Sequence, residues 1–162
     1  RAAPAHLKGE SCLDCHMTET FREGGRRGRH HGFPAAHNRE ALLRAVRVEG
    51  GFDDQGPWFS VENYGAGHNF PTDERSRAAD VQVRWQDADG NWGDWQHVHR
   101  FRDPYRDEVD LVNTQLPSGE TWRENLPMPD GATLGEARLL YRTQPYLPDD
   151  ESEELGRVEL KP

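Results

Sequence analysis

The chain has only two cysteines, spaced three positions apart, with a histidine directly after the second: Ser11-Cys12-Leu13-Asp14-Cys15-His16-Met17. Residues three and four apart share one side of a helix, so both thiols and the imidazole can face one ligand. Thiols so spaced can add across the two vinyl groups of a porphyrin, and the adjoining imidazole then serves as proximal ligand to the iron. A disulfide, half of a zinc site and a redox dithiol are the other chemistries open to a C-x-x-C pair. Zinc requires two further ligands of the right type, and a redox pair normally stands between a strand and a helix. The C-x-x-C-H order therefore predicts one covalently attached haem c on Cys12, Cys15 and His16.

A second axial ligand must come from elsewhere. His30, His31 and His37 fall within eight residues of loop-forming sequence, and His68 follows two glycines in Asn63-Tyr64-Gly65-Ala66-Gly67-His68-Asn69-Phe70-Pro71-Thr72. Gly65 and Gly67 let the backbone turn sharply and approach a flat ring, and Pro71 fixes the exit. That loop could deliver His68 to the open haem face, or it could be a plain turn with a surface histidine. Met17 adjoins the proximal ligand and points the wrong way; Met128, between Pro127 and Pro129, is the better sulfur candidate. The number of later histidines favours two imidazoles over His/Met ligation. A Gly- and Arg-rich stretch, residues 21–29, reads as a loop in which Arg29 could cover haem propionates or simply face solvent. His97 and His99, two apart on one strand face, have the spacing of some metal sites but no carboxylate to complete one.

The elements that must position these groups are small. Hydrophobic residues make up 33% of the chain and charged residues 30%, so a core must draw on clustered aromatics, chiefly five Trp and six Phe. Ser11 can cap a short helix carrying the haem motif, and Asn38 can cap another to Arg44. From residue 45 the apolar period becomes two: Val46 and Val48, Phe59 and Val61, Val81, Val83 and Trp85, Trp95 to Phe101, Ala137, Leu139 and Tyr141, then Val158 and Leu160. Six or seven short strands between Gly, Pro and Asp turns predict a mainly β fold, an antiparallel sandwich behind a small, mostly irregular or helical haem-binding segment. The expected division is residues 1–44 for the haem segment and 45–162 for the sandwich. The acidic run Pro148 to Glu154 reads as a solvated loop.

A net charge of −9 argues against nucleic acid and anionic membranes as partners. No stretch approaches the roughly 20 apolar residues that a membrane span needs. Covalent haem c is normally attached outside the cytoplasmic membrane, so a periplasmic or extracellular location is expected.

The order C-x-x-C-H-M, then H-x-F-P, then a short helix, then N-x-G-A-G-H-x-x-P-T resembles the C-terminal portion of multihaem c-type cytochromes. There a haem segment precedes an immunoglobulin-like β domain. Cys12, Cys15, His16 and Met17 match the first element; His31, Phe33 and Pro34 the second; Gly65, Ala66, Gly67, His68, Pro71 and Thr72 the third. This chain departs in having one haem motif, and Ala35-Ala36 stands where relatives often have glycines. The resemblance implies an electron-transfer subunit with His68 or His31 as distal ligand, and His31 as a possible ligand to a haem outside the chain. The partners it implies are other redox proteins or haem-bearing chains, in a homo- or hetero-oligomer. Two rivals remain at this stage. One is a haem enzyme with an open distal site, where His30 or Arg29 would assist peroxide, nitrite or gas chemistry. The other is a structural subunit docked on a larger cytochrome.

Overall fold

The structure, a computed structural model, describes residues 9–32, 36–71 and 75–161. Phe33 and Pro34 of the second element and Thr72 of the third lie outside them. The chain runs α1 (Cys12–His16), β1 (Glu19–Phe21), β2 (Arg27–Arg29), α2 (Arg39–Ala45), then β3 (Arg47–Asp53), β4 (Gly56–Glu62), β5 (Ala78–Gln86), β6 (Gln96–Arg102), β7 (Thr121–Asn125), β8 (Leu134–Arg142) and β9 (Glu153–Leu160). It is mainly β, and every strand pairing is antiparallel.

Strands β3-β4-β7 form one sheet and β6-β5-β8-β9 another. The inward residues of both, among them Phe59, Val61, Val81, Leu139, Tyr141 and Leu160, share one buried cluster, so the sheets are two layers over a common core. Where β3 and β9 approach, Gly156 is required: a Cβ there would sit 2.3 Å from Val48 Cγ2. Helix α2 is capped by Asn38, whose side chain accepts from Ala41 N at 2.9 Å, and it drops Leu42 into the same core.

The outer face of the four-stranded sheet is unusual in being buried and charged. Asp80, 1% exposed, accepts from both Arg100 and Arg142 at 2.6 Å. Burial alone would push the Asp80 carboxyl up, but the bonds from Arg100, His97 and Arg142 outweigh it and hold it well below the usual carboxylate range. Beside it, Arg138 reaches Gln82 and Asp149, and the guanidiniums of Arg84 and Arg138 lie 4.5 and 4.0 Å from the Trp95 ring centre.

Three expectations need correction. The Gly- and Arg-rich stretch is not a plain loop: β1 and β2 pair as a hairpin whose turn uses Gly24 and Gly25 at φ +81° and +74°. The acidic run is not a free solvated loop: Asp149 is paired with Arg138 and Arg142, and Glu153 and Glu154 open β9. His97 and His99 do not share a face. Val81 pairs with His99 but Gln82 with His97, so Val98 is an extra residue and the alternation inverts there. His97 consequently lies 3.6 Å from Asp80 outside, while His99 packs on Phe101 and Trp122 inside.

Candidate haem site

A five-residue helix is far too short to stand alone in water, so α1 must be held at both ends. At its start, the Asp14 carboxylate accepts from Ser11 N and Ser11 Oγ, each at 2.8 Å. These bonds, with a further one from Arg29, lower the Asp14 pKa. At its end, Arg29 on β2 donates to the carbonyls of Leu13 and Met17 at 3.0 and 2.9 Å, and to Asp14 at 3.1 Å. The guanidinium thus satisfies main-chain acceptors that the helix terminus leaves open. The sequence left Arg29 between covering propionates and facing solvent; the structure places it on the helix that carries the cysteines.

Cys12 and Cys15 are both unbridged and exposed, one turn apart on α1. Partial burial, with the charges of Glu10 and Asp14, pushes the Cys15 thiol up. A redox dithiol needs the opposite shift, so this environment disfavours that chemistry. Among the described residues no group of three or more His, Cys, Asp or Glu is arranged to hold a metal ion, which leaves the zinc reading without its further ligands.

His68 is brought up to His16. Their ring centres lie 6.1 Å apart with planes only 18° from parallel. Two metal–nitrogen bonds of about 2 Å, plus roughly 1.1 Å from each nitrogen to its ring centre, require about 6.2 Å between two imidazoles sharing one ion. The observed separation matches the distance at which two imidazoles could serve one iron. His68 Nδ1 lies 2.8 Å from the Asn69 carbonyl. A carbonyl only accepts, so Nδ1 carries the proton and Nε2 keeps its lone pair for a metal.

The loop holding His68 is built from below. Asn63, fully buried, donates its Nδ2 to the carbonyls of His68 and Leu116 at 2.8 and 2.9 Å. Gly65 sits against the end of α2: its N–H bonds the Ala45 carbonyl at 2.9 Å, and a Cβ would fall 1.9 Å from the Arg44 carbonyl oxygen. Ser118 donates to the Ala66 carbonyl, and Phe70 and Leu116 bridge in antiparallel fashion. The peptide between Phe70 and Pro71 is cis. Asn63 and Gly65 are the supports that periodicity could not reveal; only the glycine content of the motif hinted at a close approach.

The remaining candidates sit on other segments. His30 and His31 are exposed just beyond β2, with His30 Nδ1 accepting from Gly32 N at 3.2 Å, and His37 is exposed before α2. Met128 packs against the core. Leu13, Leu43 and Tyr64 are apolar side chains left 46%, 38% and 39% exposed. They belong to α1, α2 and the His68 loop, the three elements that bear or support the paired histidines.

The fold has a solved counterpart. A penta-heme cytochrome c552 from Thermochromatium tepidum superposes with a TM-score of 0.68 at 20% sequence identity, over 94% of this chain and 48% of that one. The two share a fold. The chain spans about half the length of that structure. No family model matches the sequence, and no curated protein matches it. No helix among the described residues is long and apolar enough to cross a membrane.

Proposed function

We propose that this chain is an electron-transfer c-type cytochrome unit with one haem c, attached through Cys12 and Cys15 and ligated by His16 and His68. The observation that carries the reading is the 6.1 Å, near-parallel His16–His68 pair with the His68 tautomer set for ligation. When bound, the haem would supply a one-electron ferric/ferrous couple, held by the His16 and His68 imidazoles. Nitrogen ligation favours a low potential, since a thioether ligand is what raises it. The open-site enzyme reading loses support because His68, so close to His16, would take the place that a substrate needs.

Arg29 keeps the attachment helix in place, and Asn63 with Gly65 keeps the His68 loop in place. Residues 1–44 act as the haem segment and 45–162 as an immunoglobulin-like sandwich; the three-on-four strand order supports the sandwich, and α2 ties the segment to it by packing Leu42 into its core. The likeness to a penta-heme protein about twice as long supports a place in a larger multihaem assembly with other redox proteins or haem-bearing chains, in the periplasm or outside the cell. His31, exposed beyond β2, is left to serve a haem carried outside this chain.

The test is optical. Matured with haem-attachment machinery, the protein should gain the mass of one haem and show a low-spin ferric spectrum. His68→Ala should turn it high-spin, whereas His31→Ala should leave the spectrum of the isolated chain unchanged. A low-spin spectrum surviving His68→Ala would refute the assignment.

A further inference from the structure

Charge is divided sharply along the chain. Residues 1–44 hold eight Arg and Lys against five Asp and Glu, whereas residues 45–162 hold twelve against twenty-four. The arginines of the sandwich are largely committed to carboxylates: Arg47 to Glu62, Arg84 to Glu136, Arg100 to Asp80, Arg102 to Glu108 and Arg123 to Asp53. The hairpin β1-β2 is the reverse. Arg22, Arg26 and Arg27 are exposed and make no ion pair among the described residues, and Phe21 beside them is 73% exposed. The result is an apolar ring flanked by three cations without an ion-pair partner among the described residues, on a hairpin that also carries Glu19 and Glu23.

A loop between β6 and β7 has the opposite make-up. Glu108 accepts from Arg102 at 2.5 Å and from Tyr105 N at 2.7 Å, and Tyr146 donates to it as well, so the loop is tied down by its own polar groups. What it turns outward is Val109, Leu111 and Val112, exposed by 82%, 55% and 75%. Asp107 and Asp110 stand beside and among them, both exposed and without an ion-pair partner among the described residues. A loop held this firmly presents its apolar side chains at little ordering cost to a partner.

We propose that the basic hairpin of one copy docks on the acidic, apolar loop at 107–112 of a second copy, Phe21 against the valines and Arg22, Arg26 and Arg27 against Asp107 and Asp110. The chain itself carries both complementary halves, which is what favours a second copy over an unrelated acidic protein. Such pairing of opposite patches steers encounter and sets register. The contact brings the haem-bearing end of one copy against the sandwich of the next. It stands independently of how the haem is ligated.

Sedimentation of the full chain tests it. At about 20 mM salt, where the Debye length exceeds 20 Å, mass should rise with protein concentration, and about 500 mM salt should weaken association at least tenfold. The triple reversal R22E/R26E/R27E should be monomeric, and so should D107R/D110R. Mixing the two reversed proteins should restore association, which also shows that both are folded. A chain that stays monomeric at about 1 mM protein and low salt would overturn the proposal. So would association indifferent to both reversals. Reversal of the arginines that shifts the haem potential while leaving mass unchanged would also overturn it, and would assign them to the propionates.

Discussion

Replacing Asn63 with leucine isolates what the buried amide does for the His68 loop. The substitution keeps the volume but deletes both Nδ2 bonds, to His68 O at 2.8 Å and Leu116 O at 2.9 Å. The two carbonyls are not equally harmed. Leu116 O still accepts from Phe70 N at 2.8 Å, whereas His68 O loses the donor that the described residues give it. A buried acceptor left without a partner costs about 1–3 kcal/mol, and a single lost bond about 1 kcal/mol. Against this, Asn63 Oδ1 has no hydrogen-bond partner, and removing it relieves part of the penalty. The net loss should be about 2–3 kcal/mol. At ~2–4 °C per kcal/mol for a chain of this size, the thermal midpoint should fall by about 5–10 °C. Denaturant titration of the haem-loaded protein, followed both by far-UV circular dichroism and by the Soret band, would measure it. The same variant should show a high-spin fraction in its ferric spectrum, because a slackened loop no longer presents His68 at a fixed distance. Asn63→Asp should be worse, since it buries a charge with acceptors only. A stability change under about 0.5 kcal/mol, or a wholly low-spin spectrum, would refute the reasoning.

Gly65→Ala should destabilise by more than about 2 kcal/mol in the same titration, because the obstacle its Cβ meets at 1.9 Å is the Arg44 backbone and not a movable side chain. Arg29→Gln should lower the yield of covalently attached haem, read as the ratio of haem-loaded to bare mass, since α1 loses the group that holds its last turn. Acid should be harmful in a defined window. Asp80 is held below its unfolded value, so its stabilisation is complete above about pH 4 and is lost as pH falls further toward the folded value. Unfolding midpoints at pH 6 and pH 3 should therefore diverge, and Asp80→Asn, less stable at pH 6, should narrow the gap. The Tyr141 phenol, pushed up to about 12 by burial, should stay protonated in an alkaline titration where exposed tyrosines ionise.

Both helices and most strands were legible because each rests on a local signal: a serine cap for α1, an asparagine cap for α2, and a period of two for β4, β5 and β8. What escaped depends on contacts distant in sequence. Strand β7 is almost wholly polar, and its Arg123 is placed by Asp53 and by the Trp58 ring 3.9 Å away. The hairpin hid behind glycines and arginines that suit a loop equally well. The extra residue at Val98 leaves no trace in the alternation of β6, so the two histidines there could not be assigned to opposite faces. Even the acidic run misled, because its partners Arg138 and Arg142 belong to β8. His68 was reachable by motif, but its approach to His16 exists only once α1 and the loop are folded together.

The hydrogen bond from His68 to the Asn69 carbonyl has a consequence for maturation. Its acceptor is main chain, so no side-chain replacement at position 69 can delete it while the loop keeps its path. Under the proposed ligation the ring is therefore already oriented before any iron arrives. An imidazole whose N–H is already engaged is also a stronger electron donor, which would favour the oxidised centre. The peptide unit next to His68 would thus act as a small permanent bias on the redox couple.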